Sequence, residues 1–501
     1  MHSGVNSDLT VSSLKSFAPL LVFLAVLSRL LYNYLQLRSI PGPILAGSTN
    51  LWRAYLQSRG KLRERIISLH DQYGPVVRYG VNMVSIRDAS VIQQIYTTGK
   101  GFTIHDSYST LLGIDKDGKP VESLITVKDE SKHGQMRRAI ANAFTVTSVG
   151  EMESIFDESI TQLLHVLHQR VERRQSLDIT RQIAWYSLDN AAKMVFSEDA
   201  GCLRTDSDAQ GLGKMIQSRF MHWGTWSAIP EVERLVYRNP IALRLANSQP
   251  VEFSRKAAAR YADRIAKPWM STEPDLLNRL IESAERHPDV LNAKGMMGVI
   301  MSTISGAADT TAATLVAILY YLIVNPDARL KLERELTEAR VTLPIPMYKE
   351  VRHLPYLDAV VKEAMRLFSL VNWPLERRVP PGGMIYQNYV LPPGTSVGVF
   401  PAALYMDRST FGSDVEAFRP ERWLSGDGET TRKMEASSLG FSRGKRVCLG
   451  QNIATMQLKK VIPTLFLNFT IELQDDSQVL DADFTPAVAF VKPLFVSLSQ
   501  K

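Results

Sequence analysis

Hydrophobic residues form two long continuous stretches in the chain, and elsewhere they alternate with polar residues over shorter segments. The first stretch, residues 17 to 35, is about long enough to cross a bilayer as a helix. The second, residues 293 to 325, ends at Asn325-Pro326, where a helix is expected to stop. Because its middle carries an aspartate among small polar residues, it would be costly in lipid. The pattern predicts one N-terminal membrane helix and one long buried helix.

The N-terminal stretch has an alternative interpretation as a cleaved signal peptide. No small-x-small cleavage site follows it, and Arg38 and Arg53 on its C-terminal side favour a main body that stays in the cytoplasm. A stiff Pro41-Gly42-Pro43 break then ends the stretch. We expect residues 1-40 to form a membrane anchor and linker and residues 41-501 to form one catalytic domain.

The rest of the chain predicts a mainly α fold with small β-sheets. Alternating residues 75 to 88 around a Gly-Val-Asn turn predict a hairpin. Residues 384 to 401 predict two strands joined at a Pro-Pro-Gly turn, and residues 486 to 498 predict a last strand pair. Helical periodicity runs through residues 150 to 290, whereas residues 101 to 131 lack a sustained period and predict a long loop.

Composition excludes several classes of protein. The 501 residues are 45% hydrophobic and 22% charged, which is ordinary for a globular protein with a large core. The only two cysteines, Cys202 and Cys448, exclude a disulfide framework and a four-cysteine zinc site. The net charge is +7, but the basic residues are dispersed rather than gathered with aromatic residues, so we expect no nucleic-acid binding. A membrane surface or an acidic protein partner accounts better for this charge.

The densest group of candidate chemical residues is the segment 440 to 450, Gly-Phe-Ser-Arg-Gly-Lys-Arg-Val-Cys-Leu-Gly. Gly444 and Gly450 let the backbone turn tightly around Cys448 and approach a flat partner. Converging N–H donors and Arg446 favour a thiolate, which is the form that binds metals. A lone cysteine is most often a small buried hydrophobe, but such a residue needs neither the glycines nor the basic neighbours. We therefore expect Cys448 to be a metal ligand.

This segment resembles the haem-binding loop of the cytochrome P-450 superfamily, the haem-thiolate monooxygenases, at every signature position. The resemblance implies that Cys448 binds the iron of haem b and that Phe441, Gly444 and Gly450 shape the surroundings of its sulfur. It extends over nearly the whole chain, from the anchor and proline-rich hinge to the terminal strands. The sequence is similar to fungal microsomal members related to pisatin demethylase, which act on lipophilic secondary metabolites, and this part is analogy alone.

A second motif, Gly306-Ala307-Ala308-Asp309-Thr310-Thr311, lies in the middle of the long apolar helix. Its small residues leave a groove, and the Thr310 hydroxyl can hydrogen-bond the carbonyl of Gly306. Asp309 can relay protons if water reaches it. The family has a matching acid-alcohol pair, so the resemblance implies that Asp309 and Thr310 deliver protons. Ala307 stands where the family usually has glycine. This difference affects the width of the groove rather than its chemistry.

Basic residues at three places match the family's haem-propionate partners. His133 and Arg137 are four residues apart and share a helix face, for which a solvated surface is the alternative. The family usually has tryptophan at the place of His133. The resemblance implies that His133 and Arg137 hold the haem propionates together with Arg446 and Arg377. Arg377 is preferred to its neighbour Arg378 for this role.

A helix predicted over residues 355 to 370 carries Glu363 and Arg366 on one face. Such a pair alone is usually a surface ion pair worth roughly 0.2 to 0.5 kcal/mol. Arg422, in a Phe-x-Pro-x-Arg segment, completes a set that resembles the family's buried Glu-Arg-Arg triad. We expect this triad to hold the cysteine loop.

The resemblance implies an enzyme of the endoplasmic reticulum membrane, single-pass, with its catalytic domain on the cytoplasmic side. It would insert one atom of dioxygen into a lipophilic small molecule and reduce the other to water. No Gly-x-Gly-x-x-Gly follows a strand, so electrons must come from outside. The implied donor is NADPH-cytochrome P-450 reductase, with cytochrome b5 as a second candidate. The predicted docking surface for this donor is basic and contains Arg443, Lys445, Lys459 and Lys460. The alternative is that these are ordinary solvated side chains.

Two rival functions are a haem-thiolate isomerase or dehydratase working without a reductase, and a non-catalytic haem-binding sensor. Neither needs the Asp309 and Thr310 pair. The loops at 101 to 131 and 205 to 250 match no pattern that identifies a substrate. The second loop contains a cluster of Phe220, Met221, Trp223 and Trp226. We predict that this cluster packs in the core, and the alternative is that it forms the roof of a substrate cavity.

Overall fold

Helices dominate the computed structural model, which describes residues 7–114, 119–173, 176–245, 252–267, 274–424, 426–485 and 487–501. The predicted mainly α fold with small sheets is confirmed. Parts of two loops named above, residues 115–118 and 246–250, lie outside the described residues, as do residues 1–6 of the anchor segment.

Within these ranges the two longest helices are Ser7–Gln36 and Ala293–Val324, and thirteen more helices have eight or more residues: Leu51–Ser58, Leu62–Tyr73, Glu130–Ile140, Glu153–Glu172, Ile179–Phe196, Leu212–Trp226, Pro230–Tyr237, Glu252–Ala266, Leu276–Arg286, Pro326–Glu338, Pro355–Leu367, Gly428–Ser437 and Gln451–Asn468. Shorter helical turns include Asp106–Leu111, Pro420–Trp423 and Gly444–Arg446.

The largest sheet has five strands, in the order Val76–Gly80, Met83–Ile86, Ser396–Gly398, Arg377–Arg378 and Thr103–Ile104. The other strands form a three-stranded sheet of Phe469–Leu473, Phe495–Gln500 and Leu177–Asp178, and three two-stranded pairs: Ala482–Asp483 with Phe490–Val491, Gly113–Ile114 with Pro120–Val121, and Met384–Tyr386 with Tyr389–Leu391.

The predicted hairpin at residues 75 to 88 is confirmed, with antiparallel strands and Asn82 in the left-handed region of its turn at φ 54°. Residues 384 to 401 were predicted to form two strands joined at the Pro-Pro-Gly turn, and the partners of these strands differ from that prediction. The strands before the turn, Met384–Tyr386 and Tyr389–Leu391, pair with each other. The strand after the turn, Ser396–Gly398, pairs with Met83–Ile86 in the largest sheet.

The last predicted strand pair is wrong for the same reason. Phe490–Val491 pairs with Ala482–Asp483, whereas Phe495–Gln500 pairs with the distant strand Phe469–Leu473. The predicted loop from 101 to 131 also contains the short helix Asp106–Leu111 and short strands. Local alternation identifies a strand, but it does not choose between partners that lie far apart in sequence.

Among the residues that the structure describes, two helices are long and apolar enough to cross a membrane, and their burial distinguishes them. The window Ala18–Gln36 has a mean hydropathy of 1.6 and none of it is buried, whereas 61% of the corresponding window of Ala293–Val324 is buried. The second helix packs against Ile179–Phe196, Gln451–Asn468 and Pro355–Leu367. This confirms the prediction of a buried helix, which was made because an aspartate in its middle would be costly in lipid.

The proline-rich break after the N-terminal helix is docked on the sheet. The buried Arg78 guanidinium donates hydrogen bonds to the carbonyl oxygens of Asn33 and Tyr34 at 2.6 and 2.7 Å and of Gly47 at 2.9 Å. A Cβ atom at Gly42 would lie 2.3 Å from the Arg78 carbonyl oxygen. The end of the N-terminal helix is therefore held against the domain by a buried charge that carbonyl groups satisfy.

Candidate active site

The cysteine loop is held in a tight, glycine-dependent conformation. The Cys448 N–H donates to the Phe441 carbonyl at 2.8 Å and closes the loop. Gly444 has φ +69°, and a Cβ atom there would lie 1.8 Å from the carbonyl oxygen of Tyr96. Since no larger residue fits, Gly444 fixes how closely the loop approaches the helix Val91–Tyr96.

The Cys448 sulfur lies at the N-terminus of the helix Gln451–Asn468 and faces an internal cavity. Burial raises the pKa of the Cys448 thiol, while the Gly450 N–H and the Arg137 charge act in the opposite direction. A bound cation at the sulfur would add to these two and favour the thiolate. Cys202, by contrast, is buried near Asp189, and burial raises its thiol pKa far above the usual range.

The cavity has a volume of about 400 Å³ and separates the cysteine loop from the middle of the central helix. Gly306, Ala307 and Thr310 line it on the helix side, and Phe441 and Gly450 line it on the loop side. A Cβ atom at Gly306 or Gly450 would meet nothing within 4 Å, so both walls are open where a flat group would lie.

The donor set suits a macrocycle. Among the described residues no group of three or more His, Cys, Asp or Glu side chains could hold a metal ion. The Cys448 sulfur beside this cavity can supply the single protein ligand that a thiolate-bound haem iron needs.

Four basic residues line one end of this cavity, which we call the basic end: His133, Arg137, Arg377 and Arg446. Burial and the nearby Arg446 charge lower the pKa of His133 to about 4, so its ring is neutral at neutral pH. The three arginines bring a concentration of positive charge to which carboxylates would bind. Arg378 pairs with Asp106 instead and is not among the lining residues.

The arginines of the basic end use carbonyl groups as partners. Arg137 donates to the Val447 carbonyl at 2.7 Å, next to the cysteine, and Arg377 donates to the Glu376 carbonyl at 2.8 Å. Arg446 donates to the Val127 carbonyl at 2.8 Å. Each is thereby positioned at the cavity wall.

Two carboxylates that the sequence did not single out support the basic end. Glu130 lies 3.0 Å from Arg446 and 3.3 Å from Lys445. Glu376 and Arg53 are fully buried and 2.8 Å apart. Burial alone would raise the pKa of Glu376, but the Arg53 charge lowers it to about 2. Only tertiary contacts reveal these pairs, because each joins residues more than 300 positions apart.

The acid-alcohol pair is split between two environments. The Thr310 hydroxyl lines the cavity and donates to the Gly306 carbonyl at 2.6 Å, as predicted. Asp309 is not among the lining residues, and its Oδ2 has no hydrogen-bond partner in the described part of the chain. Burial, and next the charge of the partly exposed Asp208, raise the pKa of Asp309 to about 7. Asp309 thus holds a proton near neutral pH, between a solvent-side acid and the cavity.

The Glu363 carboxylate is the centre of a buried network. It accepts two hydrogen bonds from Arg366 at 2.9 Å, one from Arg422 Nε at 2.8 Å and one from Trp423 Nε1 at 2.9 Å. All of these side chains are buried, which brings together the three predicted triad residues. The same carboxylate also holds the indole of Trp423, which sequence reasoning did not use.

The network reaches the cysteine loop through Tyr405. Arg366 donates to the Tyr405 carbonyl at 3.1 Å, and the Tyr405 hydroxyl accepts a hydrogen bond from the Leu439 N–H at 2.7 Å. Leu439 directly precedes the loop. The triad therefore fixes the point at which the loop begins.

The predicted basic docking surface is wrong for most of its members. Lys459 and Lys460 are 4% and 0% exposed, and they pair with Asp358 and with Glu153 respectively. Lys445 is partly buried and donates to the Phe102 carbonyl. Among these four basic residues only Arg443 is exposed, because the helix after the cysteine turns its lysines into the protein.

The aromatic group of the helix Leu212–Trp226 is divided by the helix faces. Phe220 and Trp223 line the cavity, as the roof alternative expected. Trp226 packs against His222 and Tyr237 on another face. Met221 is partly buried and does not line the cavity.

Comparison with known proteins places this site in a family. A cytochrome P-450 family model matches residues 45–497. The cytochrome P-450 monooxygenase mpaDE of Penicillium brevicompactum is 31% identical over 466 residues, which are 90% of this chain and 54% of that protein. A cytochrome P-450 monooxygenase of Aspergillus terreus is 31% identical, with 90% of this chain and 93% of that protein covered. The chain thus spans about half the length of the first relative and nearly all of the second.

We predict that Glu363→Ala prevents haem retention and lowers the free energy of unfolding by about 3 to 5 kcal/mol, because it leaves Arg366 and Arg422 buried without their counter-charge. Haem-to-protein ratio after gel filtration and chemical denaturation measure the two effects. Glu435→Ala is the control, since Glu435 pairs with Lys362 on the surface. Normal haem content in Glu363→Ala would show that the triad does not hold the loop.

We predict that Asp309→Asn stabilises the protein relative to the wild type, increasingly so from pH 4 to about pH 7. The folded protein keeps a proton on Asp309 up to about pH 7, whereas an unfolded aspartate loses it near pH 3.9. Wild-type stability therefore falls over this interval and levels above it. Melting temperatures of both proteins across pH 4 to 9 measure the difference, with the exposed Asp476→Asn as the control. A difference that does not change with pH contradicts the raised pKa.

Proposed function

The chain belongs to the cytochrome P-450 family, and we propose that it is a membrane-anchored haem-thiolate monooxygenase that hydroxylates or otherwise oxidises a lipophilic small molecule in secondary-metabolite biosynthesis. The observation that carries this proposal is the Cys448 sulfur, which faces the Gly306-to-Thr310 groove across one cavity. The matched relatives are fungal monooxygenases, which supports the reaction class.

The proposed cofactor is haem b, with Cys448 as the ligand of its iron. When bound, haem supplies the activation of dioxygen, which a thiolate ligand promotes by donating electron density. Phe441, Gly444 and Gly450 set the shape of the wall around the sulfur. The basic end would hold the propionates, with His133 as a neutral hydrogen-bonding partner in place of the family's tryptophan.

Protons would reach the cavity through the chain's own side chains. Asp208 is partly exposed, and Asp309 holds a proton near neutral pH with an unpaired Oδ2. The Thr310 hydroxyl lies on the cavity side of the same helical turn and donates a hydrogen bond to the Gly306 carbonyl. With a water between the two side chains, Asp309 Oδ2 would give its proton to the water, the water would give one to Thr310 Oγ1, and the Thr310 hydroxyl would pass its own proton to an acceptor in the cavity. The Asp309 carboxylate would then take up a proton again from the solvent side.

The membrane assignment rests on exposed apolar side chains. The window Ala18–Gln36 has no buried residues. Exposed apolar side chains also occur at residues 44–55 and 232–241. Gln57 donates to the Gly224 carbonyl at 2.7 Å, which joins the helix Leu51–Ser58 to the helix Leu212–Trp226, just before the second of these segments. The six most exposed apolar residues of the two segments are Ile44, Leu45, Leu51, Tyr55, Leu235 and Ile241. These residues would face the bilayer beside the anchor.

We place the protein in the endoplasmic reticulum membrane as a single-pass protein, with residues 1-40 as anchor and linker and the catalytic domain, residues 41-501, on the cytoplasmic side. Its electrons would come from NADPH-cytochrome P-450 reductase, with cytochrome b5 as a second donor. The net charge of +7 favours such an acidic flavoprotein partner.

We predict NADPH-dependent incorporation of one labelled oxygen atom when the holoenzyme, the reductase and a substrate are incubated under ¹⁸O₂. Substrates are first selected from terpenoids, alkaloids and polyketides by the change that they cause in the haem spectrum, and products are measured by mass spectrometry. Thr310→Val should lower product formed per NADPH consumed, because proton delivery is impaired.

Other outcomes identify the rival functions. An unlabelled product formed without NADPH would indicate an isomerase or dehydratase. Ligand binding with no turnover across the panel, despite electron transfer from the reductase, would indicate a haem-binding sensor.

A further inference from the structure

The same cavity is also lined by a cluster of aromatic rings, which we call the aromatic corner: Tyr108, Phe220, Trp223 and Trp373. The ring centroids of Trp223 and Trp373 are 4.5 Å apart at an interplanar angle of 66°. Tyr108 lies 5.5 Å from Trp223, and Phe220 lies 6.4 Å from it. Trp223 and Trp373 meet edge to face, whereas Tyr108 and Phe220 are tilted to Trp223 by 50° and 33°, so the rings present flat surfaces in several orientations.

The central ring of the aromatic corner, Trp223, is fixed by a hydrogen bond and by packing against its ring neighbours. Trp223 is 3% exposed, and its indole N–H donates to the Ser107 carbonyl at 3.0 Å. That contact joins the helix Leu212–Trp226 to the short helix Asp106–Leu111. A ligand therefore meets surfaces that are already in place, and little side-chain freedom is lost when it binds.

Trp373 carries a hydrogen-bond donor with no partner. Its side chain lines the cavity and is 6% exposed, yet its indole N–H donates to no group in the described part of the chain. Buried indole N–H groups normally find an acceptor. The Thr303 hydroxyl, on the cavity wall of the central helix, likewise has no partner among the described residues. The Thr311 hydroxyl, also part of the lining, is buried and has no partner among the described residues either. Three polar groups are thus available to a ligand among mainly apolar side chains.

The cavity has few charged groups. Among its described lining residues the titratable side chains are Cys448, the four of the basic end and Tyr108. Aliphatic lining residues pack in the same cluster as Phe220, Trp223 and Trp373, including Val299, Val488 and, against it, Leu370. With the three arginines engaged by the propionates of the proposed haem, a ligand with a net charge would have no counter-charge left in the cavity and would lose its hydration there.

We propose that the substrate is an uncharged molecule with a flat aromatic ring and an oxygen acceptor on or beside that ring, the ring lying against Trp223 and the acceptor receiving the Trp373 N–H. This inference rests on the proposed monooxygenase function and narrows its substrate class. Trp373 is then a specificity-determining residue, since its N–H donates a hydrogen bond to the oxygen acceptor of the substrate. Trp223 and Phe220 favour the flat ring by packing against it.

Three small probes of one skeleton test the two features separately on the haem-loaded full-length protein. 1-Tetralone has the aromatic ring and the carbonyl, 1-decalone has the carbonyl on a saturated skeleton, and tetralin has the ring without the carbonyl. Dissociation constants come from the change in the haem absorption spectrum on titration. We expect 1-tetralone to bind about three- to tenfold more tightly than 1-decalone, and more tightly than tetralin by a similar factor.

Matched variants assign the preference for the carbonyl. Trp373→Phe keeps an aromatic ring and removes the N–H, so it should abolish the preference for 1-tetralone over tetralin and keep the preference over 1-decalone. Trp226→Phe, on the other face of the helix, should change neither ratio. Haem content and the carbon-monoxide spectrum confirm that each variant is folded around its cofactor. A purely structural Trp373 would alter all three affinities together.

Equal affinities for 1-tetralone and 1-decalone, or no detectable binding of any probe, would overturn the aromatic-substrate inference. An unchanged carbonyl preference in Trp373→Phe would overturn the role of Trp373. Neither outcome affects the proposed function if ¹⁸O is still incorporated with NADPH. Loss of that incorporation, with probe preferences intact, would contradict the monooxygenase proposal alone.

Discussion

The buried carboxylate of Glu363 is the interaction on which the site most depends. It lies without solvent contact between two guanidinium groups and an indole N–H, so each of its oxygens has charged or polar partners. Such a network need not add net stability, but it tolerates only one arrangement of its members, because any other leaves a buried charge unpaired. That arrangement determines where Tyr405 lies, and Tyr405 determines where the cysteine loop begins.

The loop is constrained from a second direction by simple contact. Gly444 touches the Tyr96 carbonyl so closely that no side chain fits, and Arg137 holds the Val447 carbonyl next to the cysteine. The sulfur is therefore positioned by elements that come from both ends of the chain. The central helix supplies the opposite wall, where Gly306 leaves the space open. The Cys448 sulfur and the helix turn from Gly306 to Thr310 face each other across the cavity because both sets of contacts hold at the same time.

Residues in short motifs were well predicted from the sequence. The glycines around Cys448, the bond from Thr310 to Gly306 and the meeting of Glu363, Arg366 and Arg422 all occur in the structure. Each depends on local spacing or on a resemblance whose motifs fix the chemistry. The hairpin at residues 75 to 88 was predicted for the same reason, since its turn and its alternation are local.

Features that depend on distant partners were missed or wrong. Lys459 and Lys460 were expected on the surface, but acids from other helices bury them. The partners of the strand Phe495–Gln500 and the pairing of Arg53 with Glu376 have no local pattern. The raised pKa of Asp309 also could not be predicted, since it depends first on burial in the folded protein and next on Asp208, about a hundred residues away.

The central claim is that the Cys448 thiolate is the protein ligand of the haem iron. The most direct measurement is the absorption spectrum of the reduced, carbon-monoxide-bound protein, in wild type and in Cys448→Ser, with Cys202→Ser as the control. The account predicts the red-shifted Soret band of thiolate ligation in wild type and Cys202→Ser, and its loss in Cys448→Ser. A histidine-type spectrum in the wild type, or a red-shifted band that survives in Cys448→Ser, would contradict it.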